Sequence, residues 1–459
     1  MQKASNYVER FFFTNILFCC RIICNIFFYK IQGDILMKLE VLGNTLDKEQ
    51  TKAATLTNRN SIIIAGAGSG KSLTMVGKIK YLVKFKNINI DNILCITFTN
   101  EAAKSLEQKI TKELNIPNKV YTFHKLALEI LDNNHINYQI APSDLLDYTI
   151  NEILSSLDNS YFIKFFANKK YQSSEEFLKY KNTISRFIKL FMGNFSNPQY
   201  FTKIIKKASK KDKSTLQIIK KIYEIYTLEK TSQGLIDFDD MISLATNIVH
   251  TKGIKKNYEY IIIDEYQDTS QIRQNLVQGI IYRTNALITV VGDDFQSIYR
   301  FSGCDLNNFL DFNKHFNHVK KLYLTSTYRN SQELIKVAGS FIMQNPRQIK
   351  KNLKSAKKLN KPIIILHYHN LKKDFLKALD YINSNNLLVL GRNNKDILTV
   401  IDQKYLNKDT ITYKGKTIEY KTIHKSKGLE SDDILIINLT NNNNSLPSKI
   451  EDNPLLKYV

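Results

Sequence analysis

Residues 61–72 read SIIIAGAGSGKS. A short apolar run, a glycine-rich turn and then Lys-Ser describe a strand that delivers a loop to the start of a helix. Gly66, Gly68 and Gly70 leave backbone amides uncovered by Cβ atoms, so the loop can close on phosphate oxygens. Lys71 can reach the outer phosphates and Ser72 can ligate Mg²⁺. Ala67 and Ser69 fill the remaining loop positions. A strict phosphate loop opens with glycine; here Ala65 stands first, where a small residue suffices.

The chain around this loop has 459 residues, room for two or three domains. Hydrophobic residues make up 43% and charged ones 24%, which suits a globular protein with sizeable cores. The 66 basic and 43 acidic residues leave a formal charge of +23, an excess that favours a polyanionic partner. Five cysteines, three of them crowded at Cys19, Cys20 and Cys24, form no C-x-x-C pair and no disulfide scaffold, which fits a reducing cytoplasm. The apolar stretch 11–28, FFFTNILFCCRIICNIFF, is interrupted by Asn15, Arg21 and Asn25. It reads as a helix packed on the main body, or a corrupted start of the reading frame, rather than a membrane anchor.

Further strands are expected at 92–98 (NILCITF), 258–265 (YEYIIIDE) and 286–294 (ALITVVGDD), with a short strand and a helix in KVYTFHKLALEIL. Their apolar runs imply a parallel sheet covered on both faces. Residues 131–233 read as a polar, basic helical insertion without strand signals. A second α/β set follows, with strands expected in PIIILHYH (362–369), NLLVLGR, TITYKG and DDILIINL.

The segment IIIDEYQDTS supplies the other half of the nucleotide chemistry. Asp264 ends an apolar strand, where a carboxylate can hold Mg²⁺, and Glu265 beside it is placed to polarise an attacking water. In VVGDDFQSIYRFSG, Gln296 can sense a γ phosphate, and Tyr299 and Phe301 flank Arg300 in an aromatic–basic alternation suited to stacking on bases. His367 and His369 stand two apart, on one face of the strand expected there, without a matching Cys or His cluster, so zinc is not expected. The acidic run DFDD at 237–240 reads as structural.

With these residues in hand, the sequence resembles the UvrD/Rep-type superfamily 1 DNA helicases, nearest their helicase IV branch. LDKEQTKAA, AGAGSGKS, ITFTNEAAKSL, TFHKLAL, GLIDFDDMI, IIIDEYQDTS, VGDDFQSIYRFSG, LTSTYRNSQELI, VLGRNN and KTIHKSKGLESDDILIINL occur in the family's order across residues 46–439. Alanine is usual in that family where Ala65 stands. The resemblance implies two RecA-like domains with parallel sheets: the first over 46–130 and 234–327, interrupted by the insertion at 131–233, and the second over 328–459, with an extension at 1–45 before them. It implies that Gln50 reads the adenine, Tyr328 stacks on it, Arg329 meets the γ phosphate and Glu430 binds the ribose. It also implies single-strand contacts at Thr97, Phe98, Thr99, Asn100, Thr122 and His124, and backbone contacts at Thr422 and His424. The resemblance also offers Arg392 as an interdomain or DNA contact, and Gly428 is expected to permit a close backbone turn.

The implied activity is ATP- and Mg²⁺-dependent translocation 3′ to 5′ on single-stranded DNA, with unwinding at single-strand/duplex junctions. The family's large helical domain between TYRN and KTIHKSKGLE is missing here, which points to the helicase IV branch. The family's last arginine-bearing motif is also missing after residue 459, so the second RecA-like domain is expected to be incomplete. Two outcomes follow from that expectation: a working helicase, or an ATP- and single-strand-binding protein with little turnover. Repair, recombination and replication are not distinguished by sequence.

Overall fold

A computed structural model describes residues 28–31, 34–157, 172, 174–195, 198–382, 384, 386–407, 409–440, 446 and 452–459. The apolar stretch at 11–28 lies outside the described residues except for Phe28, which opens a hairpin of Phe28–Ile31 and Asp34–Met37. Among the described residues no helix is long and apolar enough to cross a membrane. The chain divides into two compact units: residues 1–146, 192–198 and 223–358, and residues 147–191, 199–222 and 359–459.

The first unit is built on six strands: β1 (Ser61–Ala65), β2 (Ile93–Thr97), β3 (Val120–Thr122), β4 (Tyr260–Ile263), β5 (Leu287–Gly292) and β6 (Lys320–Leu324). They run in the order β6-β1-β5-β4-β2-β3 with every neighbouring pair parallel. Such all-parallel α/β sheets are typical of RecA-like phosphate-loop domains. The apolar runs legible in the sequence are buried throughout β1 and β2, because helices cover both faces.

The period-2 alternation divides each strand between two cores. Ile62, Ile64, Leu94, Ile96, Ile261 and Ile263 face one side, packed with α4 (Phe123–Asn133), α9 (Phe238–Lys252) and α10 (Gln271–Thr284). Ile63, Ala65, Ile93, Cys95 and Ile262 face the other, packed with α1 (Lys48–Thr55), α2 (Lys71–Phe85) and α3 (Asn100–Leu114). The described residues of 131–233 include four helices: α5 (Leu145–Ser156), α6 (Glu175–Asn194), α7 (Gln199–Lys207) and α8 (Lys210–Ser232). One correction applies there, since Gln139–Ile140 pairs in parallel with Leu235–Ile236. The pairing is too short to leave a period in the sequence.

The second unit holds a five-stranded sheet, β7 (Leu387–Gly391), β8 (Leu406–Asn407), β9 (Thr410–Tyr413), β10 (Lys416–Thr422) and β11 (Asp433–Ile436), in the order β8-β9-β10-β7-β11. It is mixed rather than parallel: β8, β9 and β10 are antiparallel, and only the β10–β7 and β7–β11 pairs are parallel. The two-residue turn at Lys414 and Gly415, both left-handed at φ 46° and 77°, reverses the chain too tightly for a crossover. The strand expected at 362–369 is not formed. That stretch forms no strand and pairs in no sheet, with Ile365 76% exposed, so His367 and His369 do not share a strand face. Its β-branched run carries the propensity for a strand but has no neighbour to pair with among the described residues.

Lys78 of α2 is fully buried and donates to the carbonyls of Ala53 (3.3 Å) and Leu56, capping the end of α1. Burial pushes its pKa down from 10.5 to about 7. The unfolded chain therefore binds more protons than the folded one between those values, and stability from this group grows as pH rises and is lost as pH falls through about 7. Denaturant titrations of the native chain and Lys78→Met from about pH 7 to about pH 10 should show a steeper rise for the native chain. Parallel pH profiles would contradict the burial argument.

Candidate nucleotide and nucleic-acid site

Parallel strands place all their carboxyl ends on one edge, and the loops leaving that edge carry most of the sequence-derived candidates. β1 ends at Ala65, whose side chain is wholly buried, which explains why the first loop position tolerates alanine. Gly68 and Gly70 are left-handed, at φ 72° and 77°. A Cβ on Gly66 would meet Leu353 at 2.5 Å, one on Gly70 would meet Gln50 Nε2 at 2.5 Å, and one on Gly68 would strike Arg329 Cβ. Gly70 precedes α2 with no side-chain cap, so the first amides of that helix are open to an acceptor.

The Lys71 ammonium lies 3.3 Å from Glu265 Oε1. The buried Ser69 hydroxyl has no hydrogen-bond partner among the described residues. Burial lowers the Lys71 pKa, but the neighbouring Glu265, Asp293 and Asp264 carboxylates outweigh it and leave the net shift upward, so Lys71 stays charged. Open helix amides, a left-handed glycine turn, an unsatisfied hydroxyl and a buried ammonium fit a phosphate chain. Ser72 is the second residue of α2 and half-buried.

Across the sheet edge, β4 delivers Asp264 and Glu265. Asp264 Oδ1 accepts the Glu265 amide at 2.9 Å. Burial, with Glu265 adding to it, raises the Asp264 pKa to about 6. A carboxylate held so is short of positive charge, which suits it to a divalent cation. Glu265 itself is left-handed at φ 50°, a backbone state uncommon for a residue with a side chain. Its Oε2 accepts from Gln267 Nε2 at 2.6 Å, and Gln267 Oε1 accepts the Asp293 amide at 3.0 Å. Gln296 Nε2 donates to Asp293 Oδ2 at 2.8 Å. Glu265, Gln267, Asp293 and Gln296 thus form one hydrogen-bonded chain.

Gln50, Tyr328 and Arg329 also reach the loop. Gln50 Nε2 donates to Ser69 O at 3.0 Å, and its Oε1 accepts the Asp47 amide at 3.0 Å in a capping box. One amide hydrogen remains beyond these two bonds. The Tyr328 hydroxyl donates to Asp47 Oδ2 at 2.7 Å while its amide donates to Gly68 O at 2.9 Å, and its ring is 53% exposed. Arg329 is exposed beside Gly68.

The single-strand candidates of the first unit leave the same edge. Thr97 ends β2, fully buried, with a hydroxyl that finds no partner among the described residues. Thr99 caps α3, accepting the Ala102 amide at 3.1 Å; Asn100 follows, and Thr122 caps α4. Phe98 is half-buried, 5.4 Å from the Phe123 ring, with the Arg273 guanidinium 5.4 Å over it. His124 meets the exposed ring of Phe238 at 5.3 Å; burial, with Arg273 nearby, lowers its pKa to about 4, so it acts as a neutral ring. Tyr299 and Phe301 meet edge-on at 6.1 Å, Phe301 being 47% exposed.

In the second unit, Thr422 ends β10 and is buried, His424 is half-buried and Glu430 exposed, all on one segment, with Gly428 left-handed at φ 86°. The Arg392 amide donates to Asp396 Oδ2 at 2.9 Å. In the acidic run, Asp237 caps α9 and, with Asp240, pairs with the buried Lys230. Sequence reading missed Arg273, Phe238 and Lys351. The last is a buried lysine that pairs with Asp293 and, at 2.6 Å, with Asp294. No local pattern marks any of the three.

A parallel sheet whose first strand feeds such a loop and whose fourth ends in an Asp-Glu pair defines the phosphate-loop NTPase class. The chain belongs to the UvrD/REP helicase family, whose N-terminal domain matches residues 46–317. It is similar to the ATP-dependent DNA helicase Rep of Buchnera aphidicola subsp. Acyrthosiphon pisum, 30% identical over 84% of this chain and 56% of that one. It is also similar to a probable DNA helicase II homolog of Mycoplasma capricolum, 30% identical over 70% of this chain and 45% of that one. A third relative is the ATP-dependent DNA helicase PcrA of Staphylococcus aureus, 28% identical over 69% of this chain and 42% of that one. The chain therefore spans about half the length of these curated relatives.

The raised Asp264 pKa gives a signed prediction. Above about pH 6 the folded chain carries a buried charge that Asp264→Asn removes; below it the native carboxyl is already neutral. Asp264→Asn should raise the melting temperature of the nucleotide-free protein at about pH 8, with the gain falling as pH drops from about 6 toward 3.8, the carboxyl's ordinary value, and vanishing below it. Equal shifts at both ends of that range would contradict the assignment.

Proposed function

We propose that this protein is an ATP-dependent DNA helicase and translocase, using ATP and Mg²⁺ and moving 3′ to 5′ on single-stranded DNA in the cytoplasm. One observation carries the reading: the phosphate loop, the Asp264–Glu265 pair, Gln296 and the Phe98, His124, Tyr299 and Phe301 rings all leave the carboxyl edge of one parallel sheet. A nucleotide-driven change at one set of loops then has a short path to the other. The branch nearest helicase IV is supported by residues 330–415, where the longest described helices are the eleven-residue α11 (Gln332–Ile342) and α12 (Leu371–Tyr381).

In this reading Lys71 and Arg329 hold the outer phosphates, and Gln50 and Tyr328 take the adenine. A Mg²⁺ ion held by Ser72 and Asp264 would neutralise phosphate charge. Glu265 is paired with Lys71 at 3.3 Å; phosphates that engage Lys71 would free its carboxylate to accept a proton from water. Gln296, tied to Glu265 through Asp293 and Gln267, reports whether the γ phosphate is present. Thr97, Phe98, Thr99, Asn100, Thr122, His124, Tyr299 and Phe301 line the strand's path by hydrogen bonding and stacking. For Thr422, His424 and Glu430 the family resemblance is the support.

ATP turnover with and without oligo-dT tests the reading. The native chain should be stimulated by the oligonucleotide, and Lys71→Ala should lose turnover by about 100-fold or more. Streptavidin displacement from the 5′ end of a biotinylated strand, and not from the 3′ end, should report the polarity. Turnover indifferent to DNA would overturn the proposal, and binding of ATP and DNA without turnover would favour the binding-protein alternative.

A further inference from the structure

Residues 349–357 carry none of the chemistry assigned above, yet they touch three of its parts. The Ile349 amide donates to Asp294 Oδ2 at 2.8 Å. Lys351, with a side chain 1% exposed, sends its ammonium between Asp293 and Asp294, themselves almost wholly buried, and 3.8 Å over the Phe295 ring. Leu353 lies against Gly66, where a Cβ would meet it at 2.5 Å. Lys354 brackets the next segment: its amide donates to Thr325 O at 2.9 Å, and its carbonyl accepts the Thr327 amide at 2.8 Å. Thr327 Oγ1 in turn donates to Ala67 O at 2.7 Å. Lys357 Nζ donates to Arg329 O at 3.2 Å.

We propose that this strap is a positioning element of the ATP site, and that Lys351 is the positioning residue for Gln296. The proposal rests on the nucleotide reading above. Gln296 is aimed by its bond to Asp293 Oδ2, while the other oxygen of that carboxylate accepts from Lys351 and, at 3.1 Å, from the Phe295 amide. Two adjacent buried carboxylates repel unless a cation lies between them. Removing the cation turns Asp293 away from its present rotamer, and Gln296 follows. Lys351 meets Asp293, Asp294 and the Phe295 ring, so its effect reaches the γ-phosphate sensor before the rest of the phosphate loop. The same strap joins that sensor to the backbone of Arg329, so both γ-phosphate contacts are set by one segment.

The test measures affinities of the full chain for ADP and for a slowly hydrolysed ATP analogue. The set is the native chain, Lys351→Met, Lys351→Arg, Gln296→Ala and the Lys351→Met/Gln296→Ala double variant. Lys351→Met should leave ADP affinity unchanged and cut the preference for the analogue by about tenfold, the scale of one charged hydrogen bond. The double variant should lose no more than either single change, and Lys351→Arg should recover most of the preference. Since Lys351→Met leaves buried carboxylates uncompensated, the native chain supplies a second readout. Amides of residues 293–299 and 349–357 should gain hydrogen-exchange protection together on binding the analogue, and not on binding ADP.

A preference retained in Lys351→Met overturns the inference alone, as does protection of 293–299 without 349–357. Loss of ADP affinity in step with melting temperature shows a general support role and overturns it too. A native chain that binds neither nucleotide overturns the nucleotide reading and this inference with it.

Discussion

The Lys71–Glu265 ion pair, 3.3 Å across the carboxyl edge of an all-parallel sheet, is the constraint around which the first unit is arranged. Neither residue belongs to the other's neighbourhood in sequence. They meet because β1 and β4 both flank β5, in a parallel register that sets Ile263 beside Val290 and Gly292 beside Ile64. Sliding either strand by one residue would exchange the core-facing isoleucines for those of the other face. The burial that fixes the register therefore also fixes the chemistry.

The pair also accounts for features that look costly in isolation. Glu265 keeps an uncommon left-handed backbone, Asp264 keeps a buried carboxylate, and Ser69 keeps an unsatisfied hydroxyl. Each defect lies within the loops that would face a nucleotide, and the surrounding cores are ordinary in packing and alternation. Left-handed residues occur elsewhere too, at turns such as Lys414, but here an uncommon backbone, a buried carboxylate and an unsatisfied hydroxyl gather in one set of loops, as they do at functional sites. Gln267 carries the constraint outward, joining Glu265 to Asp293 and so to the turn that bears Gln296, Tyr299 and Phe301.

Much of this was legible in the sequence, for physical reasons. β1, β2, β4 and β5 announce themselves because strands covered on both faces are continuously apolar, and the loop announces itself through its glycines. Partners that meet only through the fold leave no such trace. Lys351 lies 58 positions from Asp293, in a basic stretch that resembles any solvated surface. The run at 362–369 misled in the opposite direction, since its composition states a preference that no neighbouring strand satisfies. The second sheet, expected to be parallel, is mixed because the chain reverses at Lys414–Gly415, a weaker hairpin signal than Asn-Gly. Gln50 was expected only at the base, and it also clamps the phosphate loop through Ser69.

The central claim is that Glu265 holds the place of a phosphate on Lys71 and yields it when nucleotide arrives. Glu265→Gln keeps the side chain's shape and removes the competing charge. Titrating ATP into this variant and into the native chain, with turnover recorded on the same samples, is the most direct test. The account predicts that turnover is lost while ATP binds at least as tightly, by up to about tenfold tighter. ATP affinity that falls together with turnover would contradict it.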